Sequence, residues 1–80
     1  MEIGVVSNYF DHVRAAAIKL SKPLKVGDKI QIKGGETDLE MEVESMQIHK
    51  DKITSAKKGD EVGIIVPQKV RKGYKVFKKK

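Results

Sequence analysis

Polar and apolar side chains alternate along most of this chain, and that period of two is the signature of β-strands. Lys29-Ile30-Gln31-Ile32-Lys33 is one alternating run. Leu39-Glu40-Met41-Glu42-Val43-Glu44 is another, with Leu, Met and Val predicted inward and three glutamates outward. Past Ser45 the parity flips, because Met46 and Ile48 become the apolar positions. One extra residue there predicts a β-bulge that bends the strand, as a small barrel needs at its corners. Glu2 to Tyr9 places Ile3 and Val5 on one face, with Ser7 and Tyr9 extending it. Val62-Gly63-Ile64-Ile65-Val66 is nearly continuous in apolar residues and predicts the most buried strand. Tyr74-Lys75-Val76-Phe77 predicts the closing strand.

Turn residues separate these runs. Lys25-Val26-Gly27-Asp28, Lys58-Gly59-Asp60 and Arg71-Lys72-Gly73 predict tight turns, and 33–38 predicts a hairpin connection around Gly34-Gly35. Pro67 follows the apolar run, where it ends ladder pairing without removing a central hydrogen bond. Short strands at about ten-residue spacing predict a sandwich or barrel. One segment is ambiguous. Val13, Ala16, Ala17 and Leu20 share a helical face, whereas a strand would align Ala16, Ile18 and Leu20. No internal repeat or linker is evident, so residues 1–80 are expected to form one domain, with Lys78 to Lys80 as a frayed tail.

Eighty residues make a small core, because a chain this short buries only about 60% of its unfolded surface. Cysteine is absent, so no disulfide or thiolate metal site can add stability. A reducing, cytoplasmic setting is the expectation. No apolar run approaches the roughly 18 residues of a membrane span, and the N-terminus does not read as a signal peptide. Net charge is +6, unevenly placed. Residues 1–49 hold six basic and eight acidic side chains, for −2, and residues 50–80 hold eleven basic and three acidic, for +8. A basic half favours an anionic partner, RNA being the commonest large one. Lysine-rich surfaces also serve solubility and ion-pair networks.

Three blocks resemble domain 2, a β-barrel, of the elongation factor Tu/1-alpha class. They are Leu24 to Ile32, Val43-Glu44-Ser45-Met46-Gln47-Ile48-His49, and Ala56-Lys57-Lys58-Gly59-Asp60-Glu61-Val62-Gly63, with Lys72-Gly73-Tyr74 as the last turn. Val6-Ser7-Asn8-Tyr9-Phe10, Gly34 to Glu40 and Glu44 to Ile48 more closely resemble stand-alone elongation-factor-like barrels related to the C-terminal domain of peptidase U32-family proteins. The resemblance implies an all-β fold: a small closed or nearly closed antiparallel β-barrel of about six strands, of the translation-protein domain 2 type. It also implies that residues 11–20 are strand. No Gly-rich phosphate loop ending in Lys-Ser or Lys-Thr is present, so GTP binding is not expected.

Candidate chemistry is sparse. His12 and His49 are the only histidines, too few for a zinc site without thiols, so no metal or other cofactor is expected. Asp38, Glu40, Glu42 and Glu44 recur every second residue, which fits the solvent face of a half-buried strand better than a cation site. Ser7, Ser21, Ser45, Thr54 and Ser55 show no activating His–acid arrangement, so no enzyme is expected. The remaining candidate site is basic: Lys50, Lys52, Lys57, Lys58, Lys69, Arg71, Lys72 and Lys75. These side chains would contact phosphate, with Arg71 able to offer a forked contact. Tyr9, Phe10, Tyr74 and Phe77 could stack on bases, at least two of them being expected in the core. The main expectation is therefore a non-enzymatic, translation-factor-like module that contacts RNA or a ribonucleoprotein such as the ribosome. The alternative is a protein-interaction barrel serving a separately encoded enzyme such as a U32-type peptidase. No membrane partner is expected.

Overall fold

Among the described residues ten strands build the fold, with no helix between them. A computed structural model describes residues 1–49 and 51–79. In chain order the strands are β1 (Glu2–Phe10), β2 (Ala15–Leu20), β3 (Leu24–Lys25), β4 (Lys29–Gly34), β5 (Thr37–Glu42), β6 (Met46–Ile48), β7 (Asp51–Ile53), β8 (Ser55–Ala56), β9 (Glu61–Ile65) and β10 (Lys75–Lys79). Eight form one antiparallel sheet in the order β5-β4-β10-β1-β2-β9-β6-β7, while β3 and β8 pair separately. No helix of the described residues is long and apolar enough to cross a membrane.

The all-β expectation holds, but the closed six-stranded barrel does not. Among the described residues the end strands β5 and β7 are not hydrogen-bonded to each other. The β3–β8 ribbon lies between them instead. The Val26 amide donates to the Thr54 carbonyl at 2.9 Å, just past β7. The Gly27 amide donates to the Val43 carbonyl at 2.8 Å, and the Val43 amide donates to Asp28 at 2.9 Å, just past β5. A two-residue ribbon thus spans the seam where a continuous ladder would close a barrel. Four of the strands are only two or three residues long. Alternation needs about four residues to register, which is why the sequence yields fewer strands.

Sixteen apolar side chains form one core. Ile3, Ile18, Ile30, Ile32, Val43, Met46, Val62 and Val76 are fully buried, and among the described residues no polar or charged residue is buried. The aromatic rings stay at its margin, with Tyr9 and Tyr74 packed partly against it and Phe10 exposed. Ala16, Ile18 and Leu20 point inward while Val13 is exposed, so the strand reading of 11–20 holds over 15–20, residues 11–14 form a turn, and the helical reading fails. The apolar run 62–66 alternates after all: Val62, Ile64 and Val66 are buried and Ile65 is exposed. The parity flip near Ser45 marks a crossover rather than a bulge, because β5 pairs with β4 whereas β6 pairs with β7 and β9. Bulges sit in β1 instead. Its register slips at Ile3 against β10 and at Ser7 against β2. Ile3 and Val6, not Ile3 and Val5, are therefore its core residues. Lys78 and Lys79 are not frayed: they pair with Ile30 and Lys29.

One turn is used three times. In 25–28, 57–60 and 71–74 the fourth amide donates to the first carbonyl, at 3.1, 3.1 and 3.2 Å. The third residue is Gly27, Gly59 or Gly73, with φ of 98°, 92° and 97°, a conformation a type II turn demands and only glycine adopts without strain. In the first two, the carboxylate of Asp28 or Asp60 accepts the amide of Lys25 or Lys57 at 3.0 Å. Each turn feeds a strand whose second residue is buried: Ile30, Val62 and Val76. The third turn carries Tyr74 in place of aspartate, and its ring lies over Gly34 on the neighbouring strand β4. A side chain at Gly34 would overlap that ring.

Two stability measurements check this arrangement. Ile64→Ala, at a position 1% exposed, is expected to cost about 2–5 kcal/mol in denaturant unfolding; a loss well under 1 kcal/mol would place Ile64 outside the core. Gly34→Ala is expected to cost about 1–3 kcal/mol through overpacking. In a Tyr74→Ala background that penalty should largely vanish, as a double-mutant cycle would record.

Candidate functional site

Strand direction decides whether the basic residues can act together. Each neighbouring pair in the sheet is antiparallel, so β4, β1 and β9 run one way and β10 and β2 the other. The turn ahead of β9, which carries Lys57 and Lys58, and the turn ahead of β10 therefore leave one cross-sheet row, Lys75–Val5–Lys19–Glu61, in opposite directions. Lys69, Arg71 and Lys72 precede β10, and Lys75 begins it. Lys52 lies on the edge strand β7. Lys50 lies outside the described residues. The basic set is thus split between turns that point apart and are separated by β1 and β2, with Lys75 facing Glu2 at 3.8 Å. Asp38 accepts from Gln31 at 2.6 Å and Glu40 pairs with Lys79, so these carboxylates serve the surface ladder. Among the described residues no three His, Asp or Glu side chains converge as metal ligands.

A different feature stands out on the outer face of β2 and β9. Where Ala16, Ile18, Val62 and Ile64 point inward, the residues between them point outward. Those outward pairs are Ala15 opposite Ile65, Ala17 opposite Gly63, and Lys19 opposite Glu61. A methyl group facing a hydrogen atom leaves a trough. It is a groove of about 470 Å³, with Ala17 and Gly63 in its floor, Phe10 and Val13 on one side and Gln47 and His49 on the other. His12 lines it as well, so the two histidines share one groove although they lie on separate elements.

The groove is apolar where the rest of the surface is charged. Phe10, Val13 and Ile65 are 41%, 49% and 55% exposed, three of the five exposed large hydrophobic residues among the described residues. No described lysine or arginine lines the groove, in a chain with 17 such residues in 80. At its lower end the Ser7 hydroxyl lies 2.7 Å from Glu61 Oε2 and 3.2 Å from the Ala17 carbonyl. This link crosses over β2, which the small Ala17 side chain permits. The turn 11–14 that carries Val13 ends at Arg14, with φ of 53°, and its carbonyl accepts the Val66 amide at 2.9 Å. A left-handed arginine costs roughly 1–2 kcal/mol, and the bond to Val66 holds the turn in place. Ile65, paired with Ala15 at the groove's margin, lines a second cleft of about 500 Å³ together with Arg14, Met41, Glu42, Ser45 and Pro67.

Sequence reasoning singled out lysines and missed this face. Its signal was present: alanine at alternate positions 15 and 17 on one strand, glycine at 63 on its partner, and two bulky apolar residues, Phe10 and Val13, in or beside a turn.

No family model matches the chain. An uncharacterised protease of Methanocaldococcus jannaschii is 42% identical over 78 residues, which is 96% of this chain. The chain spans 19% of that protein's length. Two crystal structures of the C-terminal domain of a protein assigned to the U32 peptidases in Geobacillus thermoleovorans superpose with a TM-score of 0.90. One is a selenomethionine variant, with 15% identity over 95% of this chain and 96% of that one; the other has 16% identity over 98% and 91%. These findings overturn the expectation of a translation-elongation-factor-like, ribosomal or RNA-binding module. The chain has the fold of a U32 peptidase's C-terminal domain, and its sequence is similar to one-fifth of a protease.

Proposed function

We propose that this chain is a non-catalytic accessory module that associates with the body of a U32-type peptidase. The observation that supports this most is the 42% identity along nearly the whole chain to a minor part of a protease. A segment that makes up 19% of such a protein leaves most of that protein's length for other tasks. The shared fold with a U32 C-terminal domain agrees in kind. The make-up of the domain fits as well. Its polar side chains stay at the surface, whereas a catalytic centre gathers polar groups in a concave, partly desolvated site. A cytoplasmic setting is proposed on the absence of cysteine.

Affinity capture with the tagged chain from nuclease-treated extract of its own cells tests the proposal. A U32-type peptidase is expected among the proteins identified by mass spectrometry, and nuclease treatment should leave its recovery unchanged. Recovery of nothing but nuclease-sensitive complexes would contradict it.

A further inference from the structure

Resting on that reading, we infer that the groove on the outer face of β2 and β9 is the surface on which the peptidase body sits. The occupant is a protein surface that presents bulky apolar side chains to Ala17 and Gly63 and hydrogen-bonding groups to His12, Gln47 and His49.

Four observations support this. The first is composition. Protein–protein interfaces are depleted in lysine and built around aromatic and apolar anchors. This groove has no described lysine or arginine, although such residues are common elsewhere on the chain. The second is exposure. Phe10 and Val13 flank the trough, and Ile65 stands opposite Ala15 at its margin; an apolar cluster rimmed by polar groups marks an interaction surface. The third is the choice of Gly63. Its backbone is not in the left-handed region, and an added Cβ would meet nothing closer than the Gln47 carbonyl at 3.8 Å. Alanine would fit there and would lower the entropy of the unfolded chain. The glycine adds nothing to the fold and deepens the groove. The fourth is chain length. In the M. jannaschii relative the matching region is accompanied by about four-fifths of the protein, a body large enough to cover a standard interface of roughly 800 Å² on this side.

The groove is also backed by rigid structure. Its floor belongs to the central strands β2 and β9, which are paired along five residues. Its sides are fixed by the Arg14–Val66 hydrogen bond and by the pairing of Gln47 with Gly63. A preformed surface loses little freedom on binding, so modest contact area suffices.

A photo-crosslinking residue placed singly at Val13, Ile65, Glu36 or Lys72 of the full chain, in the same nuclease-treated extract, tests the inference. All four positions are exposed. Glu36 and Lys72 adjoin strands β4, β5 and β10, in the other half of the sheet. Crosslinks to a U32-type peptidase are expected from positions 13 and 65 and not from 36 or 72. The double variant Val13→Asp/Ile65→Asp should keep its unfolding midpoint and lose capture by roughly thirtyfold, the effect of removing a hot-spot residue. Crosslinks from 36 or 72 alone, or full capture by the double variant, would overturn the groove while leaving the accessory role standing. Absence of a peptidase crosslink from every position would overturn both.

Discussion

Sixteen apolar side chains must share one dry interior in a chain of eighty residues, and the rest of the structure is arranged around that demand. No disulfide supplements the core, and surface ion pairs such as Lys75–Glu2 contribute about 0–1 kcal/mol at most. The interior is almost wholly aliphatic, so its stability rests on close packing of branched side chains. Each strand must enter at an angle that turns its inward residues to the same centre. The three glycine turns set those angles before β4, β9 and β10. The two bulges in β1 bring both Ile3 and Val6 inward where simple alternation would bring one. The β3–β8 ribbon then covers the seam that the larger sheet leaves open.

With the interior fully committed, function falls to the surface, and the surface has two characters. Most of it is charged, with lysines at both ends of the sheet and acidic residues along β5. On the outer face of β2 and β9 charge is confined to the Lys19–Glu61 pair at one end, and the middle is unfilled. Strand pairing alone would allow large side chains there, yet the facing positions hold Ala17 and Gly63. The same small residues let Ser7 reach Glu61 across β2 and leave a trough between Phe10, Val13 and His49. The Ser7–Glu61 link and the proposed partner contact thus draw on one set of positions. The fold is shared with a U32 peptidase's C-terminal domain.

The sequence disclosed the elements whose pattern is long enough to read. Strands β4, β5 and β10 and the turns at Gly27, Gly59 and Gly73 were legible, because alternation and left-handed glycines are local signals. Strands β3, β7 and β8 were not, since two or three residues cannot establish a period, and β6 was legible only as the far side of a bend. The strand at 15–20 was obscured because alanine and leucine at i, i+3 and i+4 satisfy a helix equally well, and only tertiary pairing with β1 and β9 decides it. The repeated turn escaped notice because Tyr74 stands where its two counterparts carry aspartate. Lysine-rich turns suggested a single basic site, but strand direction and order turn Lys57 and Lys58 one way and Arg71 and Lys72 the other, with β1 and β2 between them. Direction is a property of topology, and charge counting does not contain it. The groove was hidden for the opposite reason: its floor residues, Ala17 and Gly63, are small and uncharged, and they become a site only when two strands align them.

The account stands on one claim, that this domain acts through the outer face of β2 and β9. Amide chemical-shift mapping of the isotope-labelled chain, titrated with the U32-type peptidase it captures, addresses that claim most directly. The account predicts shifts concentrated at residues 10–17, 47–49 and 61–65, with 34–37 and 71–75 unmoved. Shifts centred on the turns at 34–37 and 71–75, with the β2–β9 face silent, would contradict it.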